Sequence, residues 1–325
     1  MGRTNSRACR AGHLKPERRR RVALMVTVAL LATMAPHLGA QTLREAIPMK
    51  MRIPDHPRVK RYAAYYASTA HRPWLREVLH CVQFYADYIL EQLDQRGMPA
   101  ELIFLPVIES SYVSTASSAA GAVGLWQLMP VTARLNGLDT DGAVDERRDF
   151  WKATEAALNI LQVNYEQLES WELALAAYNG GFGRVRRAVR SSGEDDFWEL
   201  RERGYLPRET SEYVPRYYGL LLALRSLPEE EWPLMDRRQR WRRLAVPEGT
   251  EMERLGKLAG VPAGILRRAN AELGDGMTPG GRDREGYRIK VPSAYYDRIS
   301  AVLSPAIGAS RQPVRMPYVQ VPQGG

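Results

Sequence analysis

Cysteine is nearly absent from this chain: only Cys9 and Cys81 occur among its 325 residues. That excludes a disulfide-stapled scaffold and a cysteine-ligated metal site. Histidine is also sparse, with five scattered residues and no pair at ligand spacing, so neither a metal nor another cofactor is expected. Long apolar runs are missing too. The longest, "VALMVTVALLATM", falls short of the roughly 20 residues a membrane helix needs. What is present suffices for a core: 45% of the residues are hydrophobic, and the length allows one large domain plus a small one.

The net charge of +9 suggests a nucleic-acid binder, but its distribution argues otherwise. Residues 1–40 hold eight Lys or Arg and one acid, and the remainder carries 38 basic and 36 acidic side chains, a net of +2. No nucleic-acid partner is expected. The basic block "KPERRRR", the apolar run and the small residues "LGA" before Gln41 read as a signal peptide over residues 1–40. The protein is therefore expected to be exported, with membrane association only if this leader is not cleaved. Cys9 would leave with the leader, so Cys81 is expected to stand on an apolar helix face without a disulfide.

From Leu75 the apolar positions Leu75, Val78, Leu79, Val82, Tyr85, Ile89 and Leu93 follow helical spacing, and Gly97 stops the run. Pro99 opens the next helix. "DERRDFWKATEAALNILQVNYEQL" restarts helical periodicity after a polar loop, with Asp145 as a cap. "SWELALAAYNGGFGRV" reads as a short helix broken at Gly180-Gly181, and "ETSEYVPRYYGLLLALRSL" as a last one. No convincing strand appears between residues 60 and 227, so the fold class is mainly α. After Trp232 a small β-α-α-β module follows, starting on a strand near Leu244–Val246 and closing on "YRIKVP". The Pro/Gly-rich tail from Ser304 is expected to be disordered. The predicted divisions are a 41–95 helical flank, a 96–230 main domain, a 241–293 module and a 304–325 tail.

Glu109 stands out because it ends the apolar run "LIFLPVI". A carboxylate there is partly desolvated, which raises its pKa and lets it hold a proton near neutral pH. A protonated Glu can protonate the oxygen of a departing sugar. Around it stand Gly121 and Gly124, which let a ligand approach the backbone, and Trp126 and Tyr178, which can lie against sugar rings. Gln127 and Asn179 supply neutral hydrogen bonds. Each has an ordinary reading as well: Trp126 as core, the Gly pairs as loop and helix stop. No second acid occurs in the loop after Glu109 or beside Tyr178 and Asn179. That suits chemistry in which the nucleophile belongs to the substrate.

"IESSY", "SSAAGAVGLWQLMP", "AAYNGGFGRV" and "ETSEYVPRY", in that order, resemble the lytic transglycosylases of family 1, the goose-lysozyme-like set, in the pattern of their membrane-bound D branch. The similarity covers roughly residues 58–225. It implies a lysozyme-like α-helical domain with a groove for peptidoglycan glycan strands. Glu109 matches the family's catalytic acid/base. The resemblance implies substrate contacts at Ser110, Gly124, Gln127, Tyr178, Asn179, Glu209 and Tyr213, with Tyr213 placed to assist Glu109. Trp126 stands where the motif usually has Met and would alter the groove wall. The implied reaction cleaves the β-1,4 bond between N-acetylmuramic acid and N-acetylglucosamine without water, leaving a 1,6-anhydromuramyl end. A goose-type hydrolase and a non-catalytic wall-binding protein are the alternatives. The C-terminal module resembles a LysM glycan-binding domain but has Gly249-Thr250-Glu251 where Gly-Asp-Thr is usual, so a glycan binder and a packing appendage both stand open.

Overall fold

The structure, a computed structural model, describes residues 41–140, 144–235, 240–280 and 286–309; the leader and the chain beyond residue 309 lie outside the described residues. The first turn, α1 (Leu43–Ala46), is closed by a capping box in which Thr42 and Glu45 satisfy each other's backbone N–H groups. Next come α2 (Pro57–Ala67) and α3 (Arg72–Gln95). All seven apolar positions expected on α3 are at most 4% exposed, and the helix gives way to Gly97 at φ +62°. A 3₁₀ turn (Ala100–Phe104), preceded by Pro99, runs into α4 (Leu105–Ser110), and α5 (Pro130–Leu135) follows the polar loop.

A second 3₁₀ turn (Glu146–Arg148) is capped by Asp145, as the sequence suggests. Asp149 then caps α6 (Phe150–Leu168), accepting from the N–H groups of Trp151 and Lys152. The helices α7 (Trp171–Gly180), α8 (Phe182–Ser192), α9 (Phe197–Glu202) and α10 (Arg208–Arg225) complete the main body. One apolar core runs from Leu43 to Trp232 and takes in Ala269 further along the chain, so the 41–95 flank and the region after it share a single packed interior. The helices α2 and α10 approach so closely that a Cβ on Gly219 would lie 2.3 Å from Cβ of Tyr62. Within α10, Pro215 cannot donate to the carbonyl of Ser211. Arg201 Nε donates to that carbonyl at 3.1 Å instead.

Beyond residue 240, β1 (Trp241–Val246), α11 (Met252–Leu258), α12 (Ile265–Ala269) and β2 (Tyr287–Pro292) appear in the expected β-α-α-β order. The strands pair antiparallel with Leu244 opposite Ile289. One observation departs from expectation. The segment at Ser304 is not disordered: α13 (Tyr296–Ala309) runs through it, burying Ile299 and Leu303 in the module's own core. A helix with apolar side chains to bury overrides the Pro and Gly content that follows it. Lys290, in the alternating strand, is 2% exposed because the strand face that carries it docks on the start of α6. Cys81 is buried on α3, 2% exposed. The expected lack of a disulfide rested on losing Cys9, which lies outside the described residues. Among the described residues, no helix is long and apolar enough to cross a membrane.

Candidate functional site

Glu109 occupies the last turn of α4, whose earlier residues Leu105, Pro106 and Val107 are buried. The chain reverses at once after Ser110. Ser111 and Tyr112 are both left-handed, at φ 53° and 60°, a conformation that costs a side-chain-bearing residue on the order of 1 kcal/mol or more. Two anchors hold the reversal. The Tyr112 ring is 1% exposed and its hydroxyl donates to the Ile103 carbonyl at 2.5 Å. The Ser110 hydroxyl sits 2.8 Å from the Leu125 carbonyl, tying α4 to the polar loop. Sequence reading did not single out Tyr112, whose only signal is an aromatic residue directly after "ESS".

The loop is more ordered than its composition implies. Short bridges pair Ser117 with Val123 and Val123 with Leu128. Arg147, 8% exposed, clamps it from outside: it forms a two-pronged pair with Asp145 at 2.9 Å and donates to the Gly121 carbonyl at 2.9 Å. The loop glycines thus have distinct roles. A Cβ on Gly121 would meet open space, whereas one on Gly124 would lie 2.0 Å from the Arg147 carbonyl oxygen. Both have positive φ, +88° and +85°. Gly124→Ala is therefore expected to cost more than Gly121→Ala. The latter loses about 1 kcal/mol for the left-handed backbone, the former a further 1–3 kcal/mol for displacing Arg147. Urea denaturation of the two variants checks the order.

Trp126 is fully buried and donates from its indole to Thr154 Oγ1 at 2.9 Å. It is a core residue and not a sugar platform or groove wall. Its carbonyl accepts the Tyr178 hydroxyl at 2.7 Å, which fixes the end of α7 against the loop. Gln127, left-handed at φ 48°, donates to the Gly124 carbonyl at 2.9 Å. Asn179 accepts from the Thr210 hydroxyl at 3.0 Å, and Gly180 beside it permits the contact, since a Cβ there would lie 2.6 Å from Thr210 Oγ1. So α7 and α10 are joined one residue from Glu209, which is exposed in the first turn of α10.

Tyr213, one turn further along α10 and 2% exposed, donates its hydroxyl to Glu109 Oε1. Burial pushes the Glu109 carboxyl up to about 7. The Tyr213 hydrogen bond and the positive charge of Arg216 oppose this rise, while the negative charge of Glu209 adds to it. Burial likewise raises the phenols of Tyr178 and Tyr213, each further raised by the Glu109 charge. Both remain neutral donors near pH 7. A cleft of about 450 Å³ opens beside this pair, lined by Tyr62, Arg208, Glu209, Glu212, Tyr213 and Arg216. One carboxyl able to lose or hold a proton near neutrality, held by a neutral phenol, is suited to moving a proton on and off a bound oxygen. Among the described residues, no group of three His, Cys, Asp or Glu could hold a metal ion.

The transglycosylase SLT domain family matches residues 87–201. That span begins inside α3 and ends inside α9; it contains Glu109, Gln127, Tyr178 and Asn179 but leaves out Glu209 and Tyr213, which only the fold brings to Glu109. The chain is 32% identical over 263 residues to the membrane-bound lytic murein transglycosylase D of Escherichia coli K12, covering 79% of this chain and 56% of that one. It thus spans little more than half the length of this relative. Among solved structures, it is similar to an inactive mutant of the lytic transglycosylase Slt from Pseudomonas aeruginosa (TM-score 0.36, 25% identity, 47% of this chain and 25% of that one). It is also similar to the 70-kDa soluble lytic transglycosylase of Escherichia coli (TM-score 0.38, 19% identity, 57% of this chain and 34% of that one).

Proposed function

We propose that this chain, whose residues 87–201 are a transglycosylase SLT domain, is a peptidoglycan lytic transglycosylase with Glu109 as its single acid/base residue. The observation that carries the reading is the Glu109–Tyr213 pair: a carboxyl raised to about 7 by burial, held at the end of α4 by a buried phenol from α10. Protonated Glu109 donates its proton to the glycosidic oxygen as the bond from C1 of N-acetylmuramic acid breaks. The resulting carboxylate takes the proton of the muramyl C6 hydroxyl as that oxygen bonds to C1. The 1,6-anhydro ring closes, Glu109 regains its proton, and no water is consumed. The 2-acetamido group of the same sugar stabilises C1 between the two steps. Tyr213 holds the carboxyl in one orientation throughout. Gln127, Asn179 and Tyr178 are assigned to contact the glycan, while Ser110 and Gly124 act by fixing the loop on α4 and on Arg147.

The substrate, and the one partner proposed, is the glycan strand of peptidoglycan. The leader read at residues 1–40 supports export, and the resemblance to lytic transglycosylases supports the periplasm of a Gram-negative host, with membrane association if the leader is not cleaved; the 96–230 region is then the catalytic domain and 241–293 a LysM-like module. One observation favours a second reading. Glu209 lies near enough for its charge to act on Glu109, so a hydrolase that uses Glu209 to activate water is the alternative. Mass spectrometry of muropeptides released from purified peptidoglycan separates the two. Muramyl ends lighter by one water are expected. Hydrated reducing ends would make the protein a lysozyme, and no release at all would make it a wall-binding protein.

A further inference from the structure

One turn beyond Tyr213, α10 directs another side chain at the acid. The Arg216 guanidinium carbon lies 5.7 Å from the centroid of the Tyr213 ring. Its Nη2 donates to the Ile108 carbonyl at 3.2 Å, the peptide group directly before Glu109. Its Nε is buried with no partner. Among the described residues, no carboxylate pairs with it. Glu212, one turn back on the same helix, is engaged by Arg201 at 3.1 Å, by Arg58 at 3.6 Å and by the Tyr62 hydroxyl at 2.9 Å. The Arg216 charge is therefore not spent on an ion pair; it faces the end of α4.

We infer that Arg216 is a positioning residue for the proposed reaction: it locks the Glu109 backbone and the Tyr213 ring into one unit, and its charge sets the pH at which Glu109 releases its proton. The inference rests on reading Glu109 as the acid/base residue. The groups that face Glu109 come from two helices. From α10 come the Tyr213 hydroxyl, Arg216 and Glu209; from α7 comes Tyr178. The two phenols are neutral near pH 7, and Glu209 is exposed, so salt and water screen it. Arg216 is thus the one permanent positive charge in the set, and a guanidinium keeps that charge at every working pH. Without it, Glu109 would face burial and one negative charge, opposed only by a phenol. It would then hold its proton too tightly to act as a base in the ring-closing half of the reaction. The planar guanidinium matters separately, because it lies against Tyr213 while its edge bonds Ile108.

The test uses the full chain carrying Arg216→Gln or Arg216→Lys, with two readouts. The first is ¹³C-carboxyl NMR titration of Glu109, its resonance assigned by its loss in Glu109→Gln. The second is the pH profile of muropeptide release. Arg216→Gln is expected to raise the Glu109 midpoint by about one pH unit, a tenfold gain in proton affinity. It is expected to lower kcat roughly tenfold while KM for glycan strands changes by less than about threefold. Arg216→Lys is expected to return the midpoint to that of the wild type and to recover only part of kcat, since an ammonium cannot both lie on the ring and bond the carbonyl. An unmoved midpoint in a natively folded Arg216→Gln overturns the inference, whatever happens to the rate. If that variant does not fold, Arg216→Lys decides: wild-type kcat and KM would overturn the locking role, and a lowered kcat at an unchanged midpoint supports it. The NMR readout needs no turnover, so a shifted midpoint in a protein that releases nothing would sink the proposed function and leave Arg216 controlling Glu109.

Discussion

Glu109→Gln is expected to abolish release of anhydromuropeptides while making the protein more stable at alkaline pH. The amide keeps the shape of the carboxyl and can still accept the Tyr213 hydroxyl, so the site should hold its geometry. It cannot give up a proton, and both halves of the proposed reaction need one to move. General acid–base catalysis contributes roughly 10²–10⁴-fold, and one residue serving twice places the loss at the upper end of that range. The stability effect has the opposite sign. Glu109 titrates at about 7 in the folded protein against an ordinary 4.5, so the folded state holds this proton over a window in which the unfolded chain has released it. Stability from this group is complete below the ordinary value and is lost as pH rises through 7. Above that, the wild type carries a buried carboxylate costing on the order of 3 kcal/mol, which the amide does not. Urea denaturation at pH 5 and pH 8 should show the variant gaining on the wild type between the two. Wild-type lysis by the variant would remove Glu109 from the mechanism. A gain absent at pH 8 would mean that the carboxyl is not desolvated.

The same residue shows how far sequence alone reaches. Glu109 was legible because a single acid at the end of an apolar run is a local pattern, and so was α3, whose seven apolar positions repeat at helical spacing. The β-α-α-β order was legible for the same reason. Arg147, Arg216 and Lys290 were not. Each is a cation whose local sequence looks like an ordinary solvated face, and each is covered by something distant in the chain: the Gly121–Leu128 loop, the end of α4, and the start of α6. Burial of a charge is decided by which element docks on it, and no local period encodes docking. Trp126 goes the other way: an aromatic within a glycine-rich motif can invite a ligand, but its ordinary reading as core holds, because Thr154 on α6 takes its indole N–H and closes it into the interior.

Lys290→Met should be the most destabilising single change in the C-terminal module, by about 3–5 kcal/mol. The Lys290 ammonium, 2% exposed, lies 2.8 Å from Asp149 Oδ2 and 2.6 Å from Glu272 Oε1, and Asp149 meanwhile caps α6 through its other oxygen. Two carboxylates share one cation at a buried seam between module and main body. Burial raises the Glu272 carboxyl to about 7, with Lys290 opposing and Asp149 adding to the rise, and its Oε2 is buried without a partner. Without the lysine, two acids would face each other with nothing between them, so the module must detach or take up protons. Removing all three charges tests the cause: Asp149→Asn with Glu272→Met and Lys290→Met keeps a helix cap and should recover most of the loss, because a buried ion pair is worth little against well-packed apolar replacements. The seam also reaches the candidate site. Asp145 N–H bonds the Glu272 carbonyl at 3.2 Å, Val144 bridges Leu273, and the Asp145 carboxylate holds Arg147, the clamp on the loop bearing Gln127. A detached module is therefore expected to slow muropeptide release as well as lower the denaturation midpoint, and the triple variant to restore both. A Lys290→Met protein that unfolds within about 0.5 kcal/mol of the wild type would show that the seam is wet and the module independent; one that loses stability with unchanged release would confine the module to packing.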